Sequence, residues 1–94
     1  MPLFVVEEQF DPPINADGLP NPYEEALSPC LKTYDVKWVS SFVGRDGAKC
    51  ICVFDAPDAE SVRRSYREAN VPFQFKVWGA TRYAPSEATA GQGE

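Results

Sequence analysis

The chain contains no histidine. That absence removes the usual general base near neutral pH and the commonest ligand of borderline metals. Ser-His-Asp triads, Cys-His dyads and histidine-based zinc sites are excluded together. Basic residues are also few: nine lysines and arginines face 14 acidic residues, for a net charge of −5. No basic stretch is interleaved with aromatics, so no nucleic-acid partner is expected. No apolar run approaches the roughly 20 residues of a membrane helix, so no membrane partner is expected either. The opening "MPLFVVEEQF" has no basic start and soon turns acidic, which argues against a signal peptide. The three cysteines are an odd number. With no export signal they fit free thiols in a reducing cytoplasm.

What remains is rich in apolar residues, 44% of a chain of 94. That suffices for one small domain, which is often marginal alone and commonly stabilised by dimerisation. Leu3 to Phe10 alternates as a strand. Phe4, Val6 and Phe10 share one face with Glu8; Leu3 and Val5 share the other with Glu7 and Gln9. Residues 11–20, "DPPINADGLP", are a long turn-rich loop. Asn21 and Pro22 suit a helix start, followed by Tyr23, Ala26 or Leu27, Cys30, Leu31 and Tyr34 at helical spacing. Pro29 should kink that helix or begin a second segment. Val36 to Val43 is a second strand, with Trp38 and Phe42 on one face and Val39 and Val43 on the other. "GRDG" at 44–47 signals a hairpin into a third strand, Ala48 to Ala56. Asp58 caps a helix over Ala59 to Ala69, whose stripe is Ala59, Val62, Tyr66 and Ala69; Pro72 blocks its continuation. Phe73 to Tyr83 is the last strand. Residues 1–84 form the domain, and 85–94 read as a disordered tail.

The order β-α-β-β-α-β is the α+β ferredoxin-like plan, a four-stranded antiparallel sheet with two helices on one face. Ile51 and Val53 on one side of the third strand, and Cys50, Cys52 and Phe54 on the other, make both sheet faces apolar. The face without helices therefore predicts a partner. A second copy is the economical one, giving a homodimer of the dimeric α/β-barrel type through the open face of the sheet.

The pieces "LFVVE" at 3–7, "VKWVSSFV" at 36–43, "CVFDAPDAESVR" at 52–63 and "NVP" at 70–72 carry a further likeness. Through them the chain resembles a family of small bacterial ferredoxin-like proteins described as nickel-binding, over roughly residues 2–83. The resemblance implies a ferredoxin-like homodimer with a buried cluster of Glu7, Ser41 and Cys52. Many relatives carry histidine in the second helix where this chain has Ser65. Nickel is the cofactor the resemblance implies, and the missing histidine counts against it.

Two cysteines lie two positions apart in "KCICVFDAP" at 49–57. On a regular strand such residues are about 6.6–6.8 Å apart with parallel side chains. Cys50 and Cys52 are then too far apart to share a tetrahedral ion or form a disulfide, and filling an apolar face explains them better. Cys52 keeps a claim as a metal ligand together with Glu7. A carboxylate among Leu3 and Val5 needs a partner or a raised pKa. Glu8 is the competing choice if the register is reversed. Ser41, Ser65, Tyr66, Trp38 and Glu7 could together line a small-molecule pocket under the 11–20 loop. Arg63, Arg64 and Arg67 read as a solvated face. Three readings follow. The first is a cytoplasmic homodimer binding a small ligand, including a soft transition metal, near Glu7 and Cys52. The second is a cofactor-independent cyclase or isomerase with Glu7 or Tyr66 in acid–base work. The third is a structural or regulatory dimer with no site.

Overall fold

A computed structural model describes residues 1–15, 17 and 22–85. Six elements follow in the expected order: β1 (Leu3–Gln9), α1 (Glu24–Thr33), β2 (Lys37–Val43), β3 (Lys49–Asp55), α2 (Ala59–Glu68) and β4 (Gln74–Ala80). The strands form one antiparallel sheet in the order β2-β3-β1-β4. This is the ferredoxin-like arrangement. No helix among the described residues is long and apolar enough to cross a membrane.

The core lies between the helices and the inner face of the sheet. Val6, Phe10, Cys50, Cys52 and Phe54 come from strands or their ends; Leu27, Leu31, Val62 and Tyr66 come from α1 and α2. α2 begins where Asp58 accepts the Ser61 amide at 2.7 Å, so the expected cap is in place. Pro29 begins no second segment. It lies inside α1, which runs on to Thr33. β4 ends at Ala80, short of the expected Tyr83, and the Tyr83 side chain is exposed. Asn21, most of the 16–21 stretch and residues 86–94 of the expected tail lie outside the described residues.

One strand departs from its alternation. The β2–β3 register shifts between Trp38 and Ser40, so Val39 has no partner on β3 and sits in a bulge. Trp38 then opposes Phe54 and Ser41 opposes Cys52, both on the inner face, while Phe42 opposes Ile51 on the outer face. The expectation that Trp38 and Phe42 share a face is therefore wrong. An extra residue between them exchanges the sides of everything beyond it.

The β2–β3 turn also anchors the segment after β1. The Phe10 amide donates to the Ala48 carbonyl at 2.8 Å and the Ile14 amide to the Gly47 carbonyl at 3.0 Å. Gly47 has φ of 75°, and a Cβ there would lie 1.9 Å from the Ile14 carbonyl oxygen. Only glycine fits both the conformation and the close approach.

Among the described residues, no helix lies on the outer face. Val5 is shielded there between its cross-strand partners Val53 and Trp78. Val39, Phe42, Ile51 and Trp78 are exposed.

Candidate metal site

Glu8 sits on β1 directly between Cys50 of β3 and Phe75 of β4. It shares the inner face with Phe4, Val6 and Phe10 and is only 2% exposed. A carboxyl in such surroundings must find donors or stay protonated. Its Oε2 accepts from the Tyr66 hydroxyl at 2.5 Å and from the Cys52 thiol at 3.6 Å. Its Oε1 is buried with no hydrogen-bond partner among the described residues.

The two cysteine sulfurs are 3.7 Å apart. This corrects the separation expected from backbone spacing. Strand side chains lean along the strand according to their χ1 rotamer, so two on one face can converge although their Cα atoms do not. Both thiols are free and buried. The ligand atoms of Glu8, Cys50 and Cys52 all lie within 4.8 Å of one another.

A chain of donors supports this cluster. The Trp38 indole N–H donates to Ser41 Oγ at 2.7 Å, and the Ser41 hydroxyl donates to Cys52 Sγ at 3.0 Å. The β2 bulge makes the chain possible. Residues 38 and 41 of a regular strand face opposite ways.

The electrostatics follow from burial. Burial pushes the Glu8 carboxyl above its ordinary range, against smaller opposing contributions from the Tyr66 hydroxyl and the neighbouring Cys52 and Cys50 thiols. The Cys52 thiol is pushed up by its hydrogen bond with Cys50, then by burial and the Glu8 charge. The Tyr66 phenol is pushed up by burial and then by Glu8. A cation that displaced the protons of Glu8, Cys50 and Cys52 would meet three anionic donors.

Of the residues singled out from sequence, Cys52, Ser41, Trp38 and Tyr66 are brought together. Glu7 is not among them. It lies on the outer face, where the Trp78 indole N–H donates to it at 2.6 Å. A pocket shared by Glu7 and Cys52 is therefore not formed: neighbours on one strand point to opposite faces. Glu8 takes the place expected of Glu7. Its signal was present in the sequence, since Glu8 alternates with Phe4, Val6 and Phe10, the more apolar face of the strand. Cys50, read as core packing, completes the cluster. Ser65 is buried but turns to the Ser61 and Cys30 carbonyls, at 2.8 and 3.4 Å, away from Glu8. Cys30 stays on α1 with its thiol against the Ala26 carbonyl. Arg63, Arg64 and Arg67 surround Glu60 on the exposed side of α2.

A cleft of about 670 Å³ opens elsewhere, lined by Gln9, Phe10, Tyr23, Lys49, Phe73 and neighbouring residues. None of the candidate site residues lines it. The groups considered for acid–base work, Glu7 and Tyr66, lie on opposite sides of the sheet, and Tyr66 is fully buried.

Comparison with known proteins agrees with this fold. A crystal structure of SCO4226 from Streptomyces coelicolor A3(2) superposes with a TM-score of 0.71 at 18% identity, covering 87% of this chain and 99% of that one. The structure of an unknown protein from Galdieria sulphuraria superposes at 0.62, also at 18% identity, covering 92% of this chain and 48% of that one. None of the curated proteins matches the chain. The family model described as "Nickel responsive protein SCO4226-like" matches residues 4–75, from β1 into β4. On that match, the chain belongs to the SCO4226-like family of nickel-responsive proteins.

Proposed function

We propose that the chain is a cytoplasmic homodimer that holds a soft transition-metal ion between Glu8, Cys50 and Cys52. The observation that carries this reading is a buried trio of ligand atoms within 4.8 Å of one another, with the second Glu8 carboxylate oxygen, Oε1, buried and without a hydrogen-bond partner among the described residues. A buried carboxylate without an ion pair is costly, and such groups cluster at functional sites. The family's description as nickel-responsive supports a metal as that purpose and makes nickel one of the ions to test. The donors suit it in part: thiolates are soft ligands for transition metals, while the imidazole that nickel also favours is absent. Tyr66 and Ser41 would orient Glu8 and Cys52 from outside the ligand set.

The homodimer rests on the open sheet face, where Val39, Phe42, Ile51 and Trp78 form an exposed apolar surface opposite the helices. Location in the cytoplasm rests on three free thiols.

The test is metal uptake by the purified, reduced chain. The reading predicts stoichiometric binding of nickel, zinc or copper that disappears in Cys52→Ala while the circular dichroism spectrum is kept. No uptake of any of them ends it. Sedimentation at micromolar concentration tests the dimer, and a clean monomer there overturns that part.

A further inference from the structure

We infer that the Cys50–Cys52 and Cys52–Glu8 donor pairs of the cluster are spaced for a tetrahedral divalent ion of the zinc type rather than for nickel in a square-planar or octahedral site. This rests on the metal-binding reading above and adds the identity of the ion.

The inference comes from the distances between donor atoms. Zinc–sulfur bonds are about 2.3 Å and zinc–carboxylate bonds about 2.0–2.2 Å. Two sulfurs 3.7 Å apart, each at that distance from one ion, subtend about 107°. Cys52 Sγ and Glu8 Oε2, 3.6 Å apart, subtend about 110° by the same construction. Both lie within a few degrees of the tetrahedral angle. Neighbouring ligands in a square-planar or octahedral complex stand at right angles. The same bond lengths would then bring the sulfurs to about 3.3 Å, closer than they are. A two-coordinate thiolate ion of the copper(I) kind needs them on opposite sides of the metal, near 4.4–4.6 Å, and has little use for a carboxylate.

The chemistry of the donors points the same way. Zinc accepts mixed thiolate and carboxylate ligands and has no d-electron preference to satisfy. Divalent nickel and zinc lie close in intrinsic affinity for a given donor set, so geometry decides between them. Each thiol gives its proton to the buffer as its metal–sulfur bond forms, and a protonated Glu8 gives up its own as it ligates. Two thiolates and a carboxylate around a divalent ion leave one negative charge in the core. The Tyr66 hydroxyl on Glu8 and the Ser41 hydroxyl on Cys52 are the donors placed to stabilise it. The cluster supplies three donors, and a water completes the fourth position.

The experiment loads the chelator-stripped, reduced full chain with cobalt(II), a spectroscopic substitute for zinc. It then adds zinc or nickel in competition. The inference predicts the strong visible bands of tetrahedral thiolate cobalt, with one ion per chain. Zinc removes those bands stoichiometrically, whereas nickel requires at least about a tenfold excess to do the same. Cys50→Ser and Glu8→Gln, each checked for fold by circular dichroism, should weaken zinc binding by at least about tenfold. The weak spectrum of octahedral cobalt, or displacement by nickel as readily as by zinc, overturns the inference and leaves the metal site standing. Failure to bind any of the three ions overturns the inference, and failure to bind copper as well overturns the metal-binding reading.

Discussion

Glu8 is a charged group in an apolar setting, and its behaviour without metal is predictable. Burial raises its carboxyl above the unfolded value of about 4.3. A carboxyl shifted upward by folding costs nothing while it is protonated in both states. Stability is therefore full below the unfolded value and declines as pH rises through the folded one. In the presence of a chelator, wild type should lose stability relative to Glu8→Gln between about pH 4 and pH 7. Denaturant melts at both pH values measure this, and a relative gain by wild type would show that Glu8 folds as a well-compensated anion. Tyr66→Phe removes the hydroxyl on Glu8 Oε2 and leaves the carboxyl short of a donor. The expected cost is about 1–3 kcal/mol in the metal-free protein, together with about a 10- to 100-fold loss of metal affinity. Unchanged affinity in a metal titration would remove Tyr66 from its positioning role. The placement of Glu8 was legible from the alternation of Phe4, Val6 and Phe10. Glu7 shares its face with Leu3 and Val5, but Val5 is shielded there only from the sides, by Val53 and Trp78, and that face stays open.

Among the elements, β2 shows where reading by periodicity stops. Its composition marks a strand, and hydrophobic alternation then assigns Trp38 and Phe42 to one face. The bulge at Val39 reverses that assignment, because register depends on pairing with β3 and not on β2 alone. The convergence of the Cys50 and Cys52 sulfurs was hidden for a related reason: backbone spacing fixes Cα atoms and leaves rotamers free. The helices were more legible. Asp58 and the stripe containing Val62 and Tyr66 set both the start and the buried face of α2. The turn between β2 and β3 carries its own prediction. Gly47→Ala places a Cβ against the Ile14 carbonyl and forces an L side chain to positive φ. A loss of at least about 2 kcal/mol in chemical denaturation is expected. A loss under about 0.5 kcal/mol would show that the Ile14 segment yields freely.

For the whole molecule, six elements in this order read directly as the ferredoxin-like plan, because turn residues and strand lengths punctuate a short chain clearly. Helices on one face leave the other to be covered. Phe42, at 68% exposed, is the largest aliphatic or aromatic group projecting from β2 on that side. Phe42→Glu should convert the dimer to a folded monomer at micromolar concentration, read by sedimentation with circular dichroism unchanged. A variant that stays dimeric would place the interface elsewhere. The metal site lies on the helix side, so this substitution should leave metal binding intact.

The central claim is that β1 and β3 together present a carboxylate and two thiolates to one ion. X-ray absorption at the metal edge of the loaded protein tests it most directly. The account predicts two sulfur neighbours at about 2.3 Å and oxygen at about 2.0–2.2 Å in a four-coordinate shell. A shell of nitrogen and oxygen alone, with no sulfur, would contradict it.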